Sequence, residues 1–232
     1  ATTGAADPPA PGRTRRNRGS EVIRQALGDA GIDEFAAHGF TGASTRRIAE
    51  AAGAHQSQIR YHFDTKDELW RRCVVRLLDE LDDAIAANAD PTSTDVTAAL
   101  EAMIRGLVQF MARRPQLNRI MAHEATTTTD RLTWLVETHL APRHAAITAR
   151  WNELAEQGLV APLDGDLVYH TVIGAAALLY SNAPEAVLLG IEPTDPDLVA
   201  RHANALVTLF LRRPQAGSAP APTDRTDPRR RR

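Results

Sequence analysis

Between Thr41 and Lys66 the chain reads TGASTRRIAEAAGAHQSQIRYHFDTK, and this stretch constrains the fold more than any other. Its spacing predicts a helix, a turn, a second helix and the start of a third. Ser44 is placed to cap the first helix, its hydroxyl accepting a backbone N–H one turn in. Ile48, Ala49 and Ala52 give that helix a small apolar face, which a second helix can cross closely. Gly53 ends it, because glycine adopts positive φ at the least cost. From His55 to Phe63 the pattern restarts. Ile59 and Phe63, at i and i+4, share one inward face. Gln56, Ser57, Gln58, Arg60, Tyr61 and His62 are left mostly outward. An outer face of amides, hydroxyls, imidazole and guanidinium, with almost no carboxylate, suits a groove lined by acceptors and phosphates. This is the helix-turn-helix pattern, with its second helix as reader.

At these positions the chain resembles the TetR family of bacterial repressors. The family pattern, T-x-x-x-I-A-x-x-A-G-V-S-x-x-x-L-Y-x-H/Y-F-x-S/T-K-x-x-L, is met by Thr45, Ile48, Ala49, Ala52, Gly53, Ile59, Tyr61, His62, Phe63, Thr65, Lys66 and Leu69. Ala54 and His55 replace the usual Val-Ser, and Arg60 stands where an aromatic is common. The resemblance covers roughly Val22 to Leu69; beyond it only the helical layout agrees. It implies a homodimer on a double-stranded DNA operator, paired through its last two long helices, here Asp166–Ser181 and Asp197–Arg212. It also implies a small effector, bound in the second domain, that moves the two heads apart. The DNA-binding set is then Thr45, Arg46, Gln56, Ser57, Gln58, Arg60, Tyr61, His62 and Lys66. Of these, Thr45, Tyr61 and Lys66 are expected on phosphates, and Gln56, Ser57, Gln58 and Arg60 at base edges.

A net charge of −2 would not by itself suggest a nucleic-acid partner. The distribution of charge does. Arg13, Arg15, Arg16 and Arg18 precede the first helix, Arg46, Arg47, Arg60 and Lys66 lie in the motif, and much of the acid comes later. No run of about twenty residues is free of charge, so no membrane-spanning helix is expected. The N-terminus lacks the apolar core of a secretory signal. The single cysteine, Cys73, fits a reducing compartment, and a cytoplasmic location is expected. Cys73 reads as a buried thiol, with redox sensing as the alternative.

The rest of the chain is helical pattern punctuated by Pro and Gly. The expected fold class is all-α: an N-terminal three-helix DNA-binding domain and a C-terminal helical bundle for ligand binding and dimerisation. The boundaries are a disordered basic arm at 1–19, the helix-turn-helix domain at 20–66, the ligand-binding domain at 67–213 and a disordered tail at 214–232. The first helix is expected to start at Ser20 and stop at His38-Gly39, with Phe40 plugging the core. Later helices are expected at Asp67–Ala87, Val96–Arg113, Gln116–His123 and Asp130–Gln157, the last kinked or split at Pro142. No Gly-rich phosphate loop, H-E-x-x-H, cysteine pair or G-x-S-x-G is present, so no catalytic residue, metal or cofactor is expected. Helical bundles place ligand sites between helices. Met103, Leu107, Phe110, Trp134, Trp151 and His170 are the candidate lining of a largely apolar effector pocket, with His123 or Glu124 to orient the ligand. The alternative is a helical enzyme or carrier whose head only looks like a DNA reader.

Overall fold

The computed structural model describes residues 11–211, with side chains from Gly19 onward. The expected tail at 214–232 and the arginine side chains of the arm lie outside the described residues. Helix α1 spans Pro11–Gly42. It starts well before Ser20, so the expectation of a disordered arm up to residue 19 is corrected from Pro11 onward. Proline suits a first helical turn, where its missing N–H is not needed, and arginine is a good helix former. Gly39 interrupts α1 with φ 63° and ψ 179°, a conformation open essentially only to glycine. A β-carbon there would also lie 3.2 Å from the His123 ring. Phe40 to Gly42 form a separate last turn beyond this elbow.

Helix α2 is Thr45–Ala51, and the Ser44 hydroxyl accepts the Arg47 N–H at its start. Gly53, at φ 61°, turns the chain into α3, Gln56–Phe63. Helix α4, Lys66–Ala86, is capped by Thr65, whose hydroxyl accepts the Glu68 N–H at 3.0 Å. The buried side chains of α1 to α3, among them Leu27, Phe35, Ile48, Ile59 and Phe63, join Leu69 and Trp70 of α4 in one core. That core continues into the rest of the molecule through Val74, Leu77 and Leu78.

Helix α5, Val96–Arg113, packs along α4. At their crossing a β-carbon on Gly106 would fall 2.6 Å from Ile85 Cα, so the two backbones touch. Helix α6, Gln116–Glu124, lies against α1. The long helix expected from Asp130 is split into α7, Asp130–Leu135, a π-helical turn over Val136–Leu140, and α8, Ala141–Glu156. Pro142 accounts for the split. It has no N–H to donate, and its ring would strike the carbonyl of Thr138; a wider turn relieves both. Helix α9, Gly165–Ser181, and α11, Pro196–Leu211, complete the bundle around α5. Between them lies a short helix that the sequence did not suggest, α10, Ala183–Leu188, with Pro184 in its first turn. No strand occurs among the described residues, and no helix there is long and apolar enough to cross a membrane.

Candidate nucleic-acid interface

Helix α3 is held by its apolar side. Ile59 and Phe63 are 4% and 6% exposed, while Tyr61, on the other side, is 78% exposed. Gln56, Ser57 and Arg60 are exposed with it, and Thr45, at the start of α2, is half-buried. The outward face expected from the spacing is therefore present. Its members differ in how free they are. Gln56 Nε2 donates to Thr45 Oγ1 at 2.9 Å, tying the starts of α2 and α3 together. Gln58 folds back, and its Oε1 accepts the His55 N–H at 2.9 Å, satisfying an otherwise orphan donor at the α3 N-terminus. The His62 ring is half-buried and stands edge-on to Tyr61, centroids 4.9 Å apart. Arg46 pairs with Glu50 on the α2 surface at 2.8 Å.

Two cations near the motif are engaged by groups of their own chain. Arg47 reaches back to the Glu34 carboxylate and donates to the Gly42 carbonyl at 2.8 Å. Burial would push the Glu34 carboxyl up, but Arg47 and the Ser44 N–H, 2.8 Å away, more than offset this and hold it below the usual range. Lys66 Nζ donates to the Ala43 carbonyl at 2.6 Å and sits 4.7 Å from the centre of the Phe40 ring. Burial, then the nearby Arg131, lower the Lys66 pKa. The side chain that the sequence placed on a phosphate is thus turned into the protein.

Phe40 is half-buried and stacks on the fully buried Phe35, ring planes 7° apart. Arg131, on α7, lays its guanidinium 3.6 Å from the Phe40 ring centre. The same guanidinium is 3.1 Å from the Glu124 carboxylate, which is 6% exposed and also accepts the Thr129 hydroxyl at 2.5 Å. Trp134, further along α7, meets Trp70 edge-on and takes Arg71 at 4.3 Å over its ring. Sequence reasoning missed this junction. Arg131 and Phe40 are far apart in the chain, and neither position carries a spacing signal.

The candidate effector residues are distributed. Leu107, Phe110 and Trp151 are in the core and Met103 packs against it. Trp134 belongs to the α4–α7 junction, and His170 is exposed on α9, its Nδ1 2.9 Å from the Asp166 carbonyl. His123 is exposed beside Gly39, and Glu124 is committed to Arg131 and Thr129. The Trp151 indole N–H is buried without an acceptor among the described residues. Cys73 is 2% exposed and burial pushes its thiol up to about 12, which leaves it inert. Two surface concavities lie elsewhere. One, of about 460 Å³, is lined by Gly174, Leu178, Leu179, Ala186, Leu189 and Ile191; the other, of about 530 Å³, by Arg24, Phe63, Arg72 and Arg76 among others.

Residues 27–73 match the family described as bacterial regulatory proteins, tetR family. Over 154 residues the chain is 27% identical to the HTH-type transcriptional regulator RutR of Escherichia coli K12, covering 65% of this chain and 70% of that protein. It is 31% identical over 107 residues to the HTH-type transcriptional repressor SCO4008 of Streptomyces coelicolor, 46% of this chain and 52% of the relative. Among solved structures, the ketosteroid transcriptional regulator KstR2 of Mycobacterium tuberculosis superposes with a TM-score of 0.59 at 19% identity, covering 82% of this chain and 95% of that one. The fatty acid degradation regulator FadR of Bacillus halodurans gives 0.59 at 18% identity, over 79% and 97%. These two likenesses are of fold.

Proposed function

We propose that the chain, whose residues 27–73 match the tetR family of bacterial regulatory proteins, is a DNA-binding regulator of that family and a ligand-responsive repressor. In this reading it binds a palindromic operator as a homodimer in the cytoplasm and is released by a small, largely apolar effector. The observation that carries the proposal is the outward face of α3, where Ser57, Arg60 and Tyr61 are exposed above the buried Ile59 and Phe63. Ser57 and Arg60 are assigned to base edges, Tyr61 and Thr45 to phosphates, and Arg46 and His62 to the flanks. Gln56, Gln58 and Lys66 must each first release an internal bond to reach DNA. Alanine at Arg60 should change which bases are preferred, at about 1–3 kcal/mol for a lost bidentate contact. Phenylalanine at Tyr61 should weaken all sequences alike. Loss of affinity at both positions with base preference unchanged would refute this division.

The dimer is proposed through α9 and α11. Leu206 is 4% exposed and faces its own core, whereas Leu167, Leu178 and Leu209 are 69%, 61% and 71% exposed. Residues 167–191 carry one formal charge, Glu185. A lone monomer would leave an apolar face of this kind in water. Helix α10 and its C-cap add Val187, Leu188 and Leu189, all exposed, beside the concavity of about 460 Å³. Groove and protruding leucines on one surface suit an isologous contact, each copy filling the other.

The effector site is proposed around Leu107, Phe110 and Trp151, with Met103 at its margin. The Trp151 indole N–H, buried with no acceptor among the described residues, favours a ligand that brings an acceptor, because an unmet buried donor costs about 1–3 kcal/mol. Effector and operator must then weaken each other by the same factor. Equal effector affinity in free and DNA-bound protein would leave a DNA-binding protein with no switch.

A further inference from the structure

The end of α1, the start of α2 and the start of α4 meet at one point. Phe40 lies just beyond the Gly39 elbow, Ala43 precedes the α2 cap, and Lys66 opens α4. Lys66 ties two of these together, bonding the Ala43 carbonyl while lying over the Phe40 ring. Glu34 adds a second tie, holding the Ser44 N–H and the Arg47 guanidinium. The angle of α2, and with it of α3, is therefore set around Phe40. A cation from outside the head reaches that ring: Arg131 of α7, 3.6 Å from its centre and 18% exposed. Arg131 is itself fixed by the buried Glu124 at the end of α6. Through α7 and the π-helical turn it is continuous with α8, which carries Trp151.

We infer that Arg131 is a positioning residue, through which the body of the protein sets the orientation of the reader helix. The inference rests on the regulator reading above and adds the route of its regulation. An effector that moves α6 or α7 shifts the guanidinium on Phe40 and tilts the head as a unit. A planar cation held by a carboxylate and stacked on an aromatic ring has a narrow range of good geometries, so a small displacement is felt. Lysine in its place keeps the charge and loses the flat stacking surface. Phe40→Leu removes the ring from the other side and keeps most of the apolar volume.

The test uses the full chain and the variants Arg131→Met, Arg131→Lys and Phe40→Leu. Amide hydrogen exchange is read over residues 40–63 and, as reference, over α9 and α11. For Arg131→Met the expected result is exchange about tenfold faster in 40–63, unchanged exchange in α9 and α11, and partial restoration by Arg131→Lys. Unchanged exchange in 40–63, or an equal rise in α9 and α11, would overturn the inference, the latter because the residue would then be merely structural. If Arg131→Met does not fold, Phe40→Leu is read by the same criteria. A second arm uses a duplex that the wild-type chain selects from a random pool. Arg131→Met should bind it about tenfold more weakly with the same base preference and the same salt slope, since no DNA contact is removed. Equal affinity would contradict the coupling. A wild-type chain that selects no duplex would defeat the regulator reading, while the exchange arm still decides the role of Arg131.

Discussion

Two leucines three residues apart on α11 should respond oppositely to the same substitution. Leu206 is 4% exposed and Leu209 is 71% exposed. Glutamate at 206 buries a carboxylate in the monomer core, where an unpaired ion costs several kcal/mol, of order the stability of a whole domain. That variant should fail to fold or aggregate. Glutamate at 209 meets water in the monomer and should fold normally. In the proposed dimer Leu209 is covered. Full burial of a leucine gives about 1.5–3 kcal/mol, and with most of the side chain still exposed in the monomer some 1–2 kcal/mol remains for each copy. Two-fold symmetry doubles this to about 2–4 kcal/mol, before the desolvation of two carboxylates is added. The dimer dissociation constant should rise by roughly a thousandfold or more. Sedimentation equilibrium over a dilution series measures that constant, and circular dichroism reports the fold. A folded Leu209→Glu chain that stays dimeric at wild-type affinity would refute the assignment of this face, and a well-behaved Leu206→Glu dimer would refute the placement of Leu206 in the core.

Gly106→Ala should destabilise strongly, by about 1–3 kcal/mol or more, because its β-carbon would lie 2.6 Å from Ile85 Cα and neither backbone can yield; a denaturation midpoint equal to that of the wild type would show that the α4–α5 crossing is looser than described. His202 should make stability depend on pH. Its Nδ1 lies 3.0 Å from the buried Tyr180 hydroxyl, and burial lowers its pKa, a backbone hydrogen bond to Ala175 working the other way. The unfolded chain then takes up the proton first, so this contribution is complete above the ordinary value of 6.5 and is lost as pH falls through the lowered one. The stability difference between wild type and His202→Gln should shrink as pH falls below 6.5, and a difference that grows instead would reverse the sign.

Local devices were legible in the sequence. Ser44 and Gly53 each act within four residues, and the inward pair Ile59 and Phe63 follows from helical spacing alone. Pro142 marked the break in the long helix, although not the π-helical turn that absorbs it. Direction was harder to read on helices that are apolar on several sides. Leu206 and Leu209 look alike until tertiary packing buries one of them. Pro184 lies in the first turn of α10, since proline serves either side of a break and its position alone does not say which. Side-chain commitments were not legible at all. Lys66 and Gln58 have donors and acceptors fit for DNA, but carbonyl and N–H groups of their own chain engage them first. The grip of Arg131 on Phe40 joins segments with no local signature and required the tertiary structure.

The measurement that most directly tests the central claim is selection from a randomised duplex pool by the intact chain, repeated with Ser57→Ala and Arg60→Ala. The wild type should enrich a two-fold symmetric sequence, its half-sites spaced so that two reader helices lie about one DNA turn apart, roughly 34–36 Å. Each α3 variant should shift the enriched bases within the half-sites and keep their spacing. No enrichment by the wild type, or an enriched sequence indifferent to both substitutions, would contradict the assignment of α3 as the reader.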